Sequence, residues 1–223
     1  NYTIGKDQLG YLPLNRTAPG PNGFMQTISL INGYSNVIAG TNYRKTKYHG
    51  VYVTVDKPYS KSSGYGFGLA YTLAFSKQRG YQFEFDRPDP QFVPFFPNAG
   101  DERHRLVANG IVDLPLGLKL SGLATIGSGV PQLVIDGETN GFGTNIRKGN
   151  FGRDRMFAQL DLRLLKAFDF GGGEFQVWAE VFNVLNRDNL AYSDACCGAS
   201  PTDLPNILIG PPRSFQVGTG FKF

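Results

Sequence analysis

From residue 48 onward, large apolar residues alternate two at a time with polar or small ones, a period that predicts strands wetted on one side only. The clearest run is 65–76. Tyr65, Phe67, Leu69, Tyr71, Leu73 and Phe75 fall on one face, and Gly66, Gly68, Ala70, Thr72, Ala74 and Ser76 on the other. Ahead of it, Val51, Val53 and Val55 alternate with Tyr52, Thr54 and Asp56, and Pro58 ends that strand because it has no donor for the ladder. A strand at 104–113 is followed by a return strand, with Leu118, Leu120, Gly122, Ala124 and Ile126 opposite Lys119, Ser121 and Thr125. Met156, Ala158, Leu160, Leu162 and Leu164 oppose Gln159, Asp161 and Arg163. Phe175, Val177, Ala179 and Val181 oppose Glu174, Gln176, Trp178 and Glu180. In the last stretch, Phe215, Val217, Thr219, Phe221 and Phe223 face away from Ser214, Gln216, Gly218, Gly220 and Lys222. Phe24, Ile28 and Leu30, alternating with Thr27 and Ser29, predict a short first strand. The Pro- and Gly-containing residues 1–23 read as loop, and the polar residues 32–47 as a connection. The chain thus divides into 1–47, loop plus a first strand, and 48–223, a series of regular strands.

The connections alternate in length. Those at 58–64, 114–117 and 169–173 are short, and those at 77–103, 127–154 and 186–212 are long. One face of large apolar groups opposite one of small or polar groups suits lipid on one side and a crowded lumen on the other. A tilted strand crosses a bilayer in ~10 residues, and short periplasmic turns with long outer loops mark outer-membrane barrels. The expected fold is therefore all-β, an antiparallel transmembrane β-barrel. With the short turns in the periplasm, the final strand runs inward and Phe223 ends there. A self-contained eight-stranded porin or anchor is the alternative, and it requires residues 24–32 to pair with 213–223. A soluble β-sandwich is a third reading, and it requires Leu69, Leu73, Leu160 and Leu162 to be buried under a second sheet.

Composition agrees with strands: 29 glycines, with 18 Phe and 11 Tyr among 223 residues. A hydrophobic content of 41% and a mean hydropathy of -0.23 do not exclude a membrane, because a barrel strand places only alternate residues in lipid. No run of 18 apolar residues exists, so no transmembrane helix is expected. The net charge of +4 comes from Lys and Arg spread along the chain, which predicts no nucleic-acid partner. The chain opens on Asn1 with no apolar signal segment, so a fragment or processed product is expected. Cys196 and Cys197 are adjacent, which is neither a disulfide framework nor a metal-ligand spacing.

Candidate chemistry is sparse. Asp101, Glu102, His104 and Asp113 could suggest a metal or acid–base cluster, but their placement at a strand start and ten residues on favours rim or lumen polarity. Asp136, Glu138, Thr139, Asn140 and Asn145 offer oxygens at a spacing that fits no calcium loop. Gly127-Ser128-Gly129 lacks the lysine of a phosphate-binding loop. Asp161, Arg163, Glu174 and Glu180 point to one side of adjacent strands, a lumen lining that packs a plug or tunes passage. No catalytic, metal or cofactor site is expected, and no enzyme. For solute contact, the strongest candidates are Phe83, Phe85, Phe92, Phe95 and Phe96, held among four prolines in the long 77–103 connection.

Specific motifs extend this reading. The terminal octet, with polar Gln216, Gly218, aromatic Phe221 and terminal Phe223, resembles the signal by which outer-membrane barrels are recognised by their assembly machinery. Asp101-Glu102-Arg103-His104-Arg105-Leu106-Val107, Asn109-Gly110, Leu114-Pro115-Leu116-Gly117 and Gly127-Ser128-Gly129-Val130-Pro131 form an ordered set. Leu160-Asp161-Leu162-Arg163 with Lys166, and Ala179-Glu180-Val181-Phe182-Asn183-Val184-Leu185-Asn186 with Asn189, continue it. Together they resemble the carboxy-terminal barrel of TonB-dependent receptors, especially the Oar-like group with a carboxypeptidase-regulatory-like amino-terminal domain. The resemblance implies about eight strands of a barrel of about 22, with a plugged lumen. It implies a Gram-negative outer-membrane location and import of a bulky scarce solute (siderophore, glycan or peptide). Energy would come from TonB, which contacts a plug and box upstream of these residues.

Overall fold

The computed structural model describes residues 2–13, 16–19, 25–27, 38–79, 95–98, 100–133, 151–153, 156–191 and 206–223. The chain is all-β and antiparallel. Its strands are β1 (Tyr2–Pro13), β2 (Arg16–Pro19), β3 (Met25–Thr27), β4 (Ile38–Lys57), β5 (Tyr65–Arg79), β6 (Phe96–Pro97), β7 (His104–Leu114) and β8 (Leu118–Gly127). There follow β9 (Pro131–Leu133), β10 (Phe151–Arg153), β11 (Phe157–Phe170), β12 (Gly173–Phe182), β13 (Leu190–Ala191), β14 (Ile207–Leu208) and β15 (Ser214–Lys222). The main sheet has the order β1-β4-β5-β7-β8-β11-β12-β15, with β6 added to the end of β5. The small pairs β2–β3, β9–β10 and β13–β14 stand outside it.

Besides the short strands β2, β6, β9, β10, β13 and β14, which fall in stretches read as loop or connection, two long segments differ from the sequence expectation. Residues 2–13, read as loop, form β1, and the connection read at 32–47 is a strand from Ile38 onward. Both lack a period-two pattern for a physical reason. The β1–β4 register slips between Gly5 and Gln8 and again between Gln8 and Gly10, and each slip moves later side chains to the opposite face. The 20 residues of β4 span about 66 Å at ~3.3 Å per residue, so its polar first half extends well past the apolar half that the alternation marks. The short turns are where the pattern places them. One closes through Pro115–Gly117, where Leu116 and Gly117 adopt left-handed backbone at φ 65° and 68°.

Register fixes the faces. On one face, Val181, Ala179, Val177 and Phe175 stand opposite Phe215, Val217, Thr219 and Phe221, and opposite Leu162, Leu164, Lys166 and Phe168. The same face continues through Leu160–Ala124, Ala108–Leu69 and Tyr71–Val53. Large apolar groups on it stay open, including Val51 (57% exposed), Val217 (75%) and Phe215 (74%). Among the described residues the only buried apolar side chains are Ala74, Phe96 and Ala158. Leu69, Leu73, Leu160 and Leu162, which a sandwich would bury, are only half-buried. The sheet therefore exposes its hydrophobic side.

The strand ends are staggered. Paired residues lead from Tyr65, the first of β5, through Val112, Leu120, Leu164 and Ala179 to Val217 in β15. Val217 lies five residues before Lys222, the end of β15, so five strand steps displace the edge by five residues. About one residue per strand, at ~3.3 Å along and ~4.8 Å across, is a strand tilt of roughly 35° against that edge. The sheet is not closed: among the described residues β15 pairs only with β12, and β1 only with β4. The pairing of 213–223 with 24–32 that a closed eight-stranded ring requires is not made by β3, which pairs with β2. Phe24, Ile28 and Leu30 themselves lie outside the described residues.

Candidate functional site

The polar face carries the chemistry. Arg163 and Glu180 are direct cross-strand partners, 3.6 Å apart, and the guanidinium also lies 4.6 Å from the centroid of Trp178. The indole in turn occupies the space over β15 left by two glycines. A Cβ on Gly218 would meet Trp178 Cζ2 at 2.4 Å, and one on Gly220 would meet Cζ3 at 3.3 Å. Further along the same face, at the short-turn end, Lys119 Nζ donates to Asp113 Oδ1 at 2.5 Å and to Tyr59 Oη at 2.8 Å, while Tyr59 Oη donates to Asp113 Oδ2 at 2.8 Å. Tyr59 reaches this site because the 58–64 turn folds back over Gly66, where a Cβ would come 2.5 Å from the Tyr59 nitrogen. These pairs are exposed cation–carboxylate contacts. They can stiffen the sheet and present charge to whatever lies against it.

The lumen-lining candidates all lie on this face, but they do not form one cluster. Asp161 sits at the long-loop end, taking 3.0 and 2.9 Å bonds from Gln159 Nε2 and a 2.8 Å bond from the Asn183 amide. Glu174 sits at the short-turn end, bonded to Gln176. Arg163 and Glu180 lie between them, as a pair.

Three buried polar residues hold the long-loop end, and their role has no signature in the alternation. Asn189, 1% exposed, accepts from the Ala158 amide at 2.8 Å and donates to the Ala158 carbonyl at 3.1 Å, so its side chain stands in for a neighbouring strand. Asn183 adopts left-handed backbone (φ 50°), a conformation Asn tolerates, and donates to the Arg187 and Pro211 carbonyls at 3.0 Å each. Asp101, also 1% exposed, accepts from the Ser76 amide at 2.6 Å and from Arg103 at 2.8 Å, pinning 98–103 to the upper half of β5. Glu102 pairs with Arg105 at 2.9 Å, and His104 Nδ1 meets Tyr71 Oη at 2.8 Å. The Asp101, Glu102, His104 and Asp113 set is thus spread over separate local contacts. No group of three metal-ligating side chains occurs among the described residues.

Of the five solute-contact candidates, Phe83, Phe85 and Phe92 lie outside the described residues, as do 134–150 with its oxygen ligands and the pair Cys196 and Cys197. Phe96, 4% exposed, pairs with Gln78 on the polar side of β5. Phe95 lies on the other side, with Lys47 Nζ 4.3 Å and the Arg79 guanidinium 5.6 Å from its centroid. It shares with Lys47, His49, Phe75 and Lys77 a cavity of about 540 Å³.

The four terminal-signal positions divide by face. Gln216 and Gly218 are on the polar face, opposite Glu180 and Trp178. Phe221 and Phe223 are on the apolar face, continuing a row of rings: Phe168 to Phe175 at 6.3 Å, Phe175 to Phe221 at 4.7 Å and Phe221 to Phe223 at 6.5 Å. No family model and no curated protein matches the chain.

Proposed function

We propose that this chain is part of the wall of an outer-membrane β-barrel, contributing eight consecutive strands of a TonB-dependent receptor that imports a bulky scarce solute. The observation that carries the membrane reading is the exposed apolar face. A water-soluble protein rarely leaves a contiguous apolar patch of this extent uncovered, whereas lipid is its natural solvent. The row of rings at the short-turn end, with Tyr65 and Phe67 on the same face, suits an interfacial aromatic girdle. Two lysines on that face near the short turns also avoid the apolar band. Lys57 Nζ bends to Ser63 Oγ and the Tyr65 carbonyl, each at 2.9 Å, and Lys166 bends to the Leu116 carbonyl in the turn. The stagger of about one residue per strand fits the tilt that closure demands, and the open edges at β1 and β15 call for further strands, because unpaired backbone is costly in lipid.

The receptor assignment adds the ordered motifs and the polar face that would meet a plug. Refolding of the full receptor into phosphatidylcholine vesicles tests the membrane reading. Heat-modifiable gel mobility and protection of the strands from protease are expected, and a chain that stays soluble and monomeric without detergent would overturn it. Deleting residues 81–94 from the full receptor tests the solute role. Normal surface abundance with lost solute-limited growth is expected, and normal growth on every candidate solute would remove the loop from recognition.

A further inference from the structure

The apolar face ends at its long-loop margin in cations. Lys47 stands directly opposite Lys77, and Lys45 directly opposite Arg79, on the same side of β4 and β5 as Val51, Val53, Leu73 and Phe75. Like charges facing one another across a ladder repel. Among the described residues none of these four pairs with a carboxylate; the ion pairs there are Arg103–Asp101, Arg105–Glu102, Lys119–Asp113 and Arg163–Glu180. Phe95 underlies Lys47 and Arg79, and Arg103 lies 4.0 Å from the Phe75 centroid, so three cationic groups at this margin sit beside rings. Between them the surface opens into the cavity lined by Lys47, His49, Phe75, Lys77 and Phe95. Its neighbours further along the strands are apolar.

A polyanionic solute would satisfy the charges but leaves the adjoining apolar surface unexplained; an amphiphile satisfies both. We infer that this pocket seats the phosphate-bearing headgroup of an anionic lipid, with its acyl chains lying along Val51, Val53, Leu73 and the rest of the apolar face. The two ammonium groups that line the pocket, with the Arg79 guanidinium two residues further along β5, give a phosphate charge-assisted hydrogen bonds and remove the cross-strand repulsion. The inference rests on the membrane reading above, since it needs acyl chains against that face.

The test uses the full receptor folded in detergent micelles, stripped of lipid and offered an equimolar mixture of phosphatidic acid and phosphatidylcholine with identical chains. Native mass spectrometry counts the lipid retained. Phosphatidic acid should be kept over phosphatidylcholine by about tenfold, and the combined Lys47→Gln, Lys77→Gln, Arg79→Gln variant should lose that preference. Lys77→Gln alone, the smaller change, should lower it and serves where the triple variant fails to fold. Inorganic phosphate at about 50 mM should not displace the lipid, because it lacks the chains that hold it. An unchanged preference in a folded variant, or displacement by phosphate alone, overturns the inference. A wild-type chain with heat-modifiable mobility and no lipid preference sinks the inference alone, whereas one that never enters micelles or vesicles sinks the membrane reading and the inference with it.

Discussion

At the scale of single residues, the glycines of the last strand are the mould of a side chain on its neighbour. Trp178 fills the space over Gly218 and Gly220, and no Cβ fits beneath it at Gly218. Gly218→Val should push the indole off the strand, at a cost of about 1–3 kcal/mol in unfolding free energy. Trp178 is the sole tryptophan, so its emission reports the displacement directly. Unaltered emission with an unaltered urea midpoint would show that the ring does not rest there. Asn189 is the second such case. Asn189→Leu keeps the branched shape but deprives the Ala158 amide and carbonyl of their partner, which should cost about 1–3 kcal/mol. Equal midpoints for variant and wild type in denaturant would dismiss the clasp.

At the scale of elements, β15 carries two functions on its two faces. Its polar face packs Trp178, while its apolar face extends the row Phe168, Phe175, Phe221 and Phe223. Phe223 is 96% exposed, so it adds almost nothing to a protein core, and on the proposed membrane reading it meets what surrounds the sheet. Removing Phe223, or making Phe223→Asp, should therefore block assembly into membranes. Heat-modifiable mobility of the full protein is the readout, and folded barrel at wild-type abundance would contradict the role.

At the scale of the whole molecule, the sheet has an apolar side and a polar side, and neighbouring residues on one strand should respond oppositely. Leu162→Arg places a cation on the apolar face, at a cost of ~2–4 kcal/mol near a bilayer centre. Arg163→Leu, one residue away, loses a 3.6 Å contact to Glu180 and a 4.6 Å contact with the Trp178 ring at a half-exposed site and should leave assembly nearly intact. Unfolding titrations in lipid vesicles compare the two. Similar losses would mean that the face assignment is wrong.

Alternation is a local property of the extended backbone, so the long strands from Val51 onward, their short turns and the faces of β5, β8, β11, β12 and β15 could be read from the chain alone. The placement of Asp161, Arg163, Glu174 and Glu180 on one face followed from the same period. What depends on partners distant in the chain could not be read. The bulged β1, the long polar half of β4, the 31-residue reach from Asn189 to Ala158 and the 25-residue reach from Asp101 to Ser76 arise only when strands are brought side by side. The separation of Phe95 from Phe96, one beneath cations and the other buried across the strand, was decided by the pairing of β6 with β5. The meeting of four cations at one margin was decided by the register of β4 on β5, because hydrogen-bonded pairing, unlike alternation, sets which distant residues must share a surface.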